Sequence, residues 1–205
     1  MAVTGVVLAA GAGTRMGTPK ALLRTASGEP WVAVASQLLL DAGCTNVVVV
    51  LGASATEAAL LLPADVRVGS VVNADWRDGM ASSLRAGLVA AGGSAGSRVS
   101  AGPGGSGVQA DAALVAVVDM PGLPVQVAAR LLGGPVSTTS LARAVFGGRP
   151  GHPVLIGRSH WAPLTATLSG DRGARAYLDA HGVDEVECGD LYDGHDVDVP
   201  GVEAR

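Results

Sequence analysis

Three glycines, an arginine and a lysine crowd one stretch near the start of the chain. It reads Leu8-Ala9-Ala10-Gly11-Ala12-Gly13-Thr14-Arg15-Met16-Gly17-Thr18-Pro19-Lys20-Ala21-Leu22-Leu23. Gly11, Gly13 and Gly17 lack Cβ, so the backbone there can approach a ligand closely. Successive N–H groups turned the same way form a nest that binds anions. Arg15 and Lys20 add positive charge beside it. Together these groups suit a polyphosphate, whose charge must be met by preorganised donors. A P-loop is excluded, because it closes on Gly-Lys-Ser/Thr and here Gly17 is followed by Thr18-Pro19. A dinucleotide turn would start a helix inside the loop and end the second strand in an acid. Pro19 opposes the first requirement, and Val47–Leu51 runs into Gly52-Ala53-Ser54 with no acid. A loop that holds a nucleoside triphosphate between Arg15 and Lys20 meets neither objection. The plain alternative, a glycine-rich turn, gives no reason for the two cations.

The second chemical signal is Val117-Val118-Asp119-Met120-Pro121. An apolar run ends abruptly in a carboxylate. Mg²⁺ takes one or two carboxylates and completes its shell with water and phosphate oxygens, so Asp119 is the first candidate metal ligand. Its plain alternative is to cap the helix that opens near Pro124. The third is Asn73-Ala74-Asp75-Trp76-Arg77-Asp78-Gly79-Met80-Ala81-Ser82-Ser83-Leu84. Asn73 carries both a donor and an acceptor for a base or ribose. Gly79-Met80 lets Ser82 and Ser83 sit at a helix N-terminus, which favours anions or simple capping. Trp76 offers a stacking surface or ordinary packing.

The elements that must position these groups alternate between strand and helix. Val6-Val7-Leu8 leads into the loop as a buried strand. Pro30 opens a helix over 31–42 that Gly43 stops. Val47–Leu51 is β-branched throughout, the mark of a strand covered on both faces. A short helix over 56–62 ends at Pro63. A third strand covers 68–72, a helix 80–91, a fourth strand 112–118 and a helix 124–132. This rhythm predicts an α/β fold: a single three-layer α/β/α domain over residues 1–205, with a mostly parallel, Rossmann-like sheet. Ligands bind such sheets at the carboxyl ends of the strands. Residues 92–110 are rich in Gly and Ser without periodicity and read as a flexible insertion. From 141 the pattern changes. Strands over 141–146 and 152–156 flank a turn over 147–151, followed by a helix over 173–180 and a strand over 183–188. This part adds a small antiparallel piece and one wall of the site.

The chain has 205 residues, 48% of them hydrophobic and 16% charged, which makes it globular rather than disordered. Net charge is −4 and no basic stripe appears, so nucleic acid is not an expected partner. The start lacks a basic segment and its apolar run breaks at Gly11, which reads as neither a signal peptide nor a membrane span. Cys44 and Cys188 are too few for a disulfide framework, and the four histidines form no metal-binding helix pattern. A cytoplasmic protein is expected.

The loop Leu8–Leu23 resembles the signature of nucleotidyltransferases with the glycosyltransferase-A-like fold, also called the nucleotide-diphospho-sugar transferase type. Within these it is most similar to the molybdenum cofactor cytidylyl- and guanylyltransferases. Asp119-Met120-Pro121 resembles their Asp-x-Pro motif, and the 73–84 stretch resembles a segment of the cytidylyl branch, with Ala74 where Pro is usual. Gly148-Arg149-Pro150-Gly151-His152-Pro153-Val154 and Gly170-Asp171-Arg172-Gly173-Ala174-Arg175 resemble acceptor-side segments. Asp196-Val197-Asp198-Val199-Pro200 resembles the tail, but the Glu-Asp that follows the Pro in the family is missing. The resemblance implies that Leu8, Ala10, Gly11, Ala12, Gly13, Thr14, Arg15, Met16, Gly17, Lys20, Gly52, Asn73 and Ser83 bind the nucleotide. It assigns Arg15, Lys20 and Asp119 to catalysis. Asp119 with Asp196 or Asp198 would hold Mg²⁺ or Mn²⁺. Gly79, Ser82, His152 and Arg175 would face a molybdopterin-type acceptor, and a molybdoenzyme or its maturation factor is the implied protein partner. Ala10 stands where the guanylyl branch has Gly. Its methyl narrows the space for a purine and favours CTP over GTP, a filter of about 1–3 kcal/mol. The same loop also serves enzymes that act on sugar phosphates or other phosphorylated alcohols, and it would serve a nucleotide binder without turnover.

Overall fold

In the computed structural model, residues 1–93 and 109–197 are described. The expected insertion falls almost wholly on 94–108, outside the described residues, as does Asp198. Seven strands form one sheet in the order β3-β2-β1-β4-β6-β5-β7. They are β1 Val3–Ala9, β2 Asn46–Leu51, β3 Val68–Val72, β4 Ala112–Val117, β5 Leu141–Phe146, β6 Arg149–Gly157 and β7 Asp184–Glu187. β1 pairs in parallel with β2 and β4, and β2 with β3. β6 runs antiparallel to both β4 and β5, and β7 is parallel to β5. The reversed strand therefore lies inside the sheet, between β4 and β5, rather than at its edge.

Helices cover both faces. Those described are α1 Trp31–Asp41, α2 Ala55–Ala59, α3 Met80–Ala91, α4 Val125–Leu132, α5 Trp161–Thr167 and α6 Arg175–Ala180. The β-branched strands supply apolar side chains to both sides. Val7, Val49 and Leu114 pack with α1 and α4, while Val6, Val48 and Val115 pack with α3, α5 and α6. Gly87 sets how closely α3 lies on the sheet. A Cβ there would stand 2.6 Å from Val6 Cγ1, so a larger residue would lift the helix that leads out of the site. Among the described residues no helix is long and apolar enough to cross a membrane.

The register aligns the strand ends. Ala9 pairs with Leu51, Leu51 with Val72, and Leu8 with Val117. The glycine-rich loop, Gly52, the segment from Asn73 and the segment from Val118 therefore leave the sheet along one edge. Because β6 is reversed, its opening residues reach the same edge.

The structure departs from the sequence reading in the C-terminal half. The turn between β5 and β6 is only Gly147-Gly148, both at positive φ, and β6 starts at Arg149. Such a two-residue turn matches strand twist, and a register shift near Arg143 and Val145 accommodates the pairing of Val145 with Pro150. Helix α5 has no counterpart in that reading. Pro163 sits in its first turn, where the missing N–H has no intrahelical partner to lose. α2 is also shorter than 56–62, and α6 begins at Arg175 rather than at 173.

Ion pairs tie this half together. The buried Arg143 on β5 donates to Asp179 of α6 and to Glu185 of β7, each at 2.5 Å. The Glu187 carboxylate accepts from the backbone N–H of Gly147 at 2.9 Å, Gly148 at 3.2 Å and Gly189 at 2.7 Å. Those donors hold its pKa below the usual carboxylate range. A depressed value means that the stabilising contribution is present above the unfolded pKa of about 4.3. It is lost as pH falls through the folded value. Glu187→Gln should lower the melting temperature at neutral pH, and its difference from wild type should shrink as the buffer is acidified below about pH 4. A pH-independent difference in thermal melts would contradict this linkage. Burial also pushes the Cys44 thiol up to about 12 and raises that of Cys188. Both thiols should resist alkylation in the folded protein at about pH 8 and react when it is denatured, as counted by mass spectrometry.

Candidate active site

The loop after β1 turns on itself. Met16 N donates to Gly13 O at 2.9 Å. Gly13 has φ +60°, and a Cβ there would fall on the Thr18 carbonyl oxygen. The fold-back delivers Pro19 to a short 3-10 turn, Lys20–Leu22. That turn aims Lys20 across the edge to the end of β4, where its Nζ donates to Asp119 Oδ2 at 2.9 Å. The pair is mostly screened from water, with side-chain exposures of 16% and 22%. The other oxygen, Asp119 Oδ1, is buried and has no hydrogen-bond partner. A buried charged acceptor left unmade is costly, more than about 1–3 kcal/mol. A divalent cation that prefers hard oxygen ligands fits this oxygen.

The tail approaches the same carboxylate. Val197, itself buried, donates its N–H to the Asp119 backbone carbonyl at 2.9 Å, which puts Asp196 beside Asp119. His152, near the start of β6, senses both carboxylates. Burial pushes its pKa down, and Asp119 and Asp196 pull it back up. Among the described residues no group of three or more His, Cys, Asp or Glu side chains could hold a metal by itself.

A cavity of about 660 Å³ opens from this edge on the α3 side of the sheet. Of the residues assigned to the nucleotide, Leu8, Ala10, Gly11, Ala12, Gly13, Thr14, Lys20 and Ser83 line it, as do Asp119 and Gly79. Arg15, Met16 and Gly17 lie farther along the loop and do not line it. Gly52 stands behind the wall. A Cβ there would meet the Ala10 carbonyl oxygen and Trp76 Cβ, each at 2.6 Å, so its absence lets Trp76 seat against the loop. Asn73 is buried and commits both amide hydrogens internally, to Ser82 Oγ at 2.8 Å and Ser83 Oγ at 3.1 Å. Its Oδ1 accepts from Asp75 N at 3.0 Å. Ser82 in turn bonds the Asp75 and Gly79 carbonyls. Asn73 and Ser82 thus brace the turn between β3 and α3, behind the cavity wall. Arg175 opens α6 exposed to solvent, and His152 sits on the Asp119 side; neither lines the cavity.

Among the lining residues given no role from the sequence are Arg77, Met80 and Asp171. Arg77 adjoins Trp76, and its guanidinium lies 4.5 Å from the Trp76 ring centroid. Asp171 arrives from far along the chain. The Ser169–Arg172 turn is pinned over α3, where Gly170 O accepts from Ala81 N at 3.0 Å and Leu168 O accepts from Arg85 at 3.1 Å. The Gly-Asp-x-Gly-Ala-Arg match was the signal available for Asp171, but nothing in the spacing placed it against Gly79.

Residues 5–186 match the family model described as "MobA-like NTP transferase domain". The chain belongs to the MobA-like nucleotidyltransferase family. A relative named nicotine blue oxidoreductase, from Paenarthrobacter nicotinovorans, is 39% identical over 96% of this chain and 92% of its own length. Rv0371c of Mycobacterium tuberculosis H37Rv superposes with a TM-score of 0.72 at 26% identity, over 97% of this chain and 94% of its own. A manganese complex of Rv0371c superposes with a TM-score of 0.67 at 22% identity, over 92% and 89%. The fold is therefore that of the nucleotide-diphospho-sugar transferases, and a divalent ion accompanies it in one neighbour.

The unpartnered Asp119 oxygen yields a direct test. Millimolar Mn²⁺ or Mg²⁺ should raise the melting temperature of the wild-type protein, because a ligand bound to the folded state alone stabilises it. Asp119→Asn should abolish that shift. An equal shift in both proteins would place the ion elsewhere.

Proposed function

We propose that this protein transfers CMP from CTP to a molybdopterin-type phosphate and releases pyrophosphate. The observation that carries the reading is the Lys20–Asp119 pair at the mouth of the glycine-rich loop, with Asp119 Oδ1 left unpartnered beside a cavity large enough for a nucleotide. The loop N–H groups and Arg15 meet the β- and γ-phosphates. Lys20 offsets charge as it builds on the leaving pyrophosphate. An acceptor phosphate oxygen attacks the α-phosphorus, the bond to the β-phosphate oxygen breaks, and that oxygen leaves with the electron pair. No general base is required, because the acceptor is already ionised. A divalent cation held by Asp119, with Asp196 or Asp198, would neutralise charge across the phosphates. The rest is positioning and preorganised charge.

A second reading rests on the relative named as an oxidoreductase and on the Trp76 and Met80 side chains that line the cavity. These groups suit contact with a flat ring system. The two readings part in one pair of assays. The purified protein is incubated with Mg²⁺, molybdopterin and CTP or GTP, and pyrophosphate is followed; in parallel, nicotine blue is offered with a reduced nicotinamide dinucleotide. Pyrophosphate release with CTP is expected, with GTP turned over at least about fivefold more slowly, and Lys20→Ala should cut the rate by about a hundredfold or more. Dye reduction without pyrophosphate release would replace the transferase reading.

A further inference from the structure

The cavity lining carries Lys20 and Asp119 and, as a second group that the phosphates do not need, Trp76, Arg77 and Asp171. A Cβ on Gly52 would meet both Trp76 Cβ and the Ala10 carbonyl oxygen, so this second group lies against the start of the loop. Trp76 is seated by the missing Cβ of Gly52, so its ring has a fixed place. Arg77 lies over that ring at 4.5 Å. Among the described residues no carboxylate pairs with its guanidinium. A guanidinium stacked on an indole is a flat, oriented plate rather than a mobile point charge. Its outer face can stack a further planar ring, and its edge can donate hydrogen bonds. Asp171 brings a carboxylate to the same wall, held there by the bond from Ala81 N to Gly170 O.

We propose that the Trp76–Arg77 stack is the platform for the nucleobase, and that Asp171 accepts a hydrogen bond from an exocyclic amino group of that base. This rests on the nucleotidyltransferase reading and deepens it. The nest of the loop takes the phosphates, and the base of the same molecule then lies beside Ala10, against the Trp76–Arg77 stack. The carboxylate makes that place selective. Cytosine has an amino group to donate and uracil has none in that position, so CTP binds and UTP is discriminated against. Arg77 is then a binding residue, and Trp76 a positioning residue that acts through it.

Calorimetry with CTP, UTP and inorganic tripolyphosphate separates the contributions. Tripolyphosphate carries the anionic part without a ring. Arg77→Met is expected to weaken CTP by about tenfold, the scale of one base stack, and to leave tripolyphosphate unchanged. Trp76→Leu should do the same, and Trp76→Phe should restore most of the loss. Asp171→Asn should narrow the CTP-to-UTP ratio. Retained tripolyphosphate binding also certifies that each variant is folded. Equal losses for CTP and tripolyphosphate in Arg77→Met would make Arg77 a phosphate contact and overturn the proposal. Unchanged CTP affinity in that variant would overturn it as well. Failure of the wild-type protein to bind any of these ligands would overturn the transferase reading itself, and this inference with it.

Discussion

β1 is paired on both edges and covered on both faces. Its residues from Val3 to Ala9 are all buried. A strand in that position cannot carry a solvated polar group without a large desolvation cost. All the chemistry therefore begins where the strand ends, and the same holds for β4, which delivers Asp119 one residue after Val118. The parallel register brings both ends to one level. Once that register is set, the loop, the carboxylate and the cavity wall have little freedom in where they lie.

The Lys20–Asp119 pair shows how such a site is kept ready. Two partly desolvated charges lose much of their hydration, and their mutual attraction offsets that loss only with good geometry. Here one carboxylate oxygen is satisfied and the other is not. The arrangement holds Asp119 in one orientation while leaving its second oxygen open to a further partner. The tail contributes through the backbone bond of Val197, which needs no particular side chain at that residue. The missing Glu-Asp after Pro200 is thus compatible with a docked Asp196.

Much of this was legible in the chain. β3 and α3 begin and end where the residues said they would, because Asn73 and Gly79 interrupt the pattern and Gly92 closes it. The loop and Asp119 could be placed at one edge from strand order alone. Other parts could not. α5 was hidden because Pro163 reads as a breaker, and only its position in the first turn makes it harmless. The β5–β6 hairpin looked longer because Pro150 was taken as part of the turn. The internal partners of Asn73 were also hidden, since side-chain amides advertise hydrogen bonding without saying to whom. Its bonds to Ser82 and Ser83 depend on how the 3-10 turn at Trp76–Asp78 folds back. The place of Asp171 was not legible, because its neighbour Gly79 is distant in sequence.

The strand order also governs when the site comes into being. β1, β2 and β3 follow one another along the chain, and their pairings close modest loops. β4 does not. It joins β1 from the other side, and the Lys20–Asp119 contact spans 99 residues. Closing so long a loop carries an entropic penalty that only the completed pairing repays. A chain with its first three strands assembled would hold the glycine-rich loop, but it would lack the carboxylate. During synthesis the edge that joins Lys20 to Asp119 is thus complete only once β4 has been made and has paired with β1.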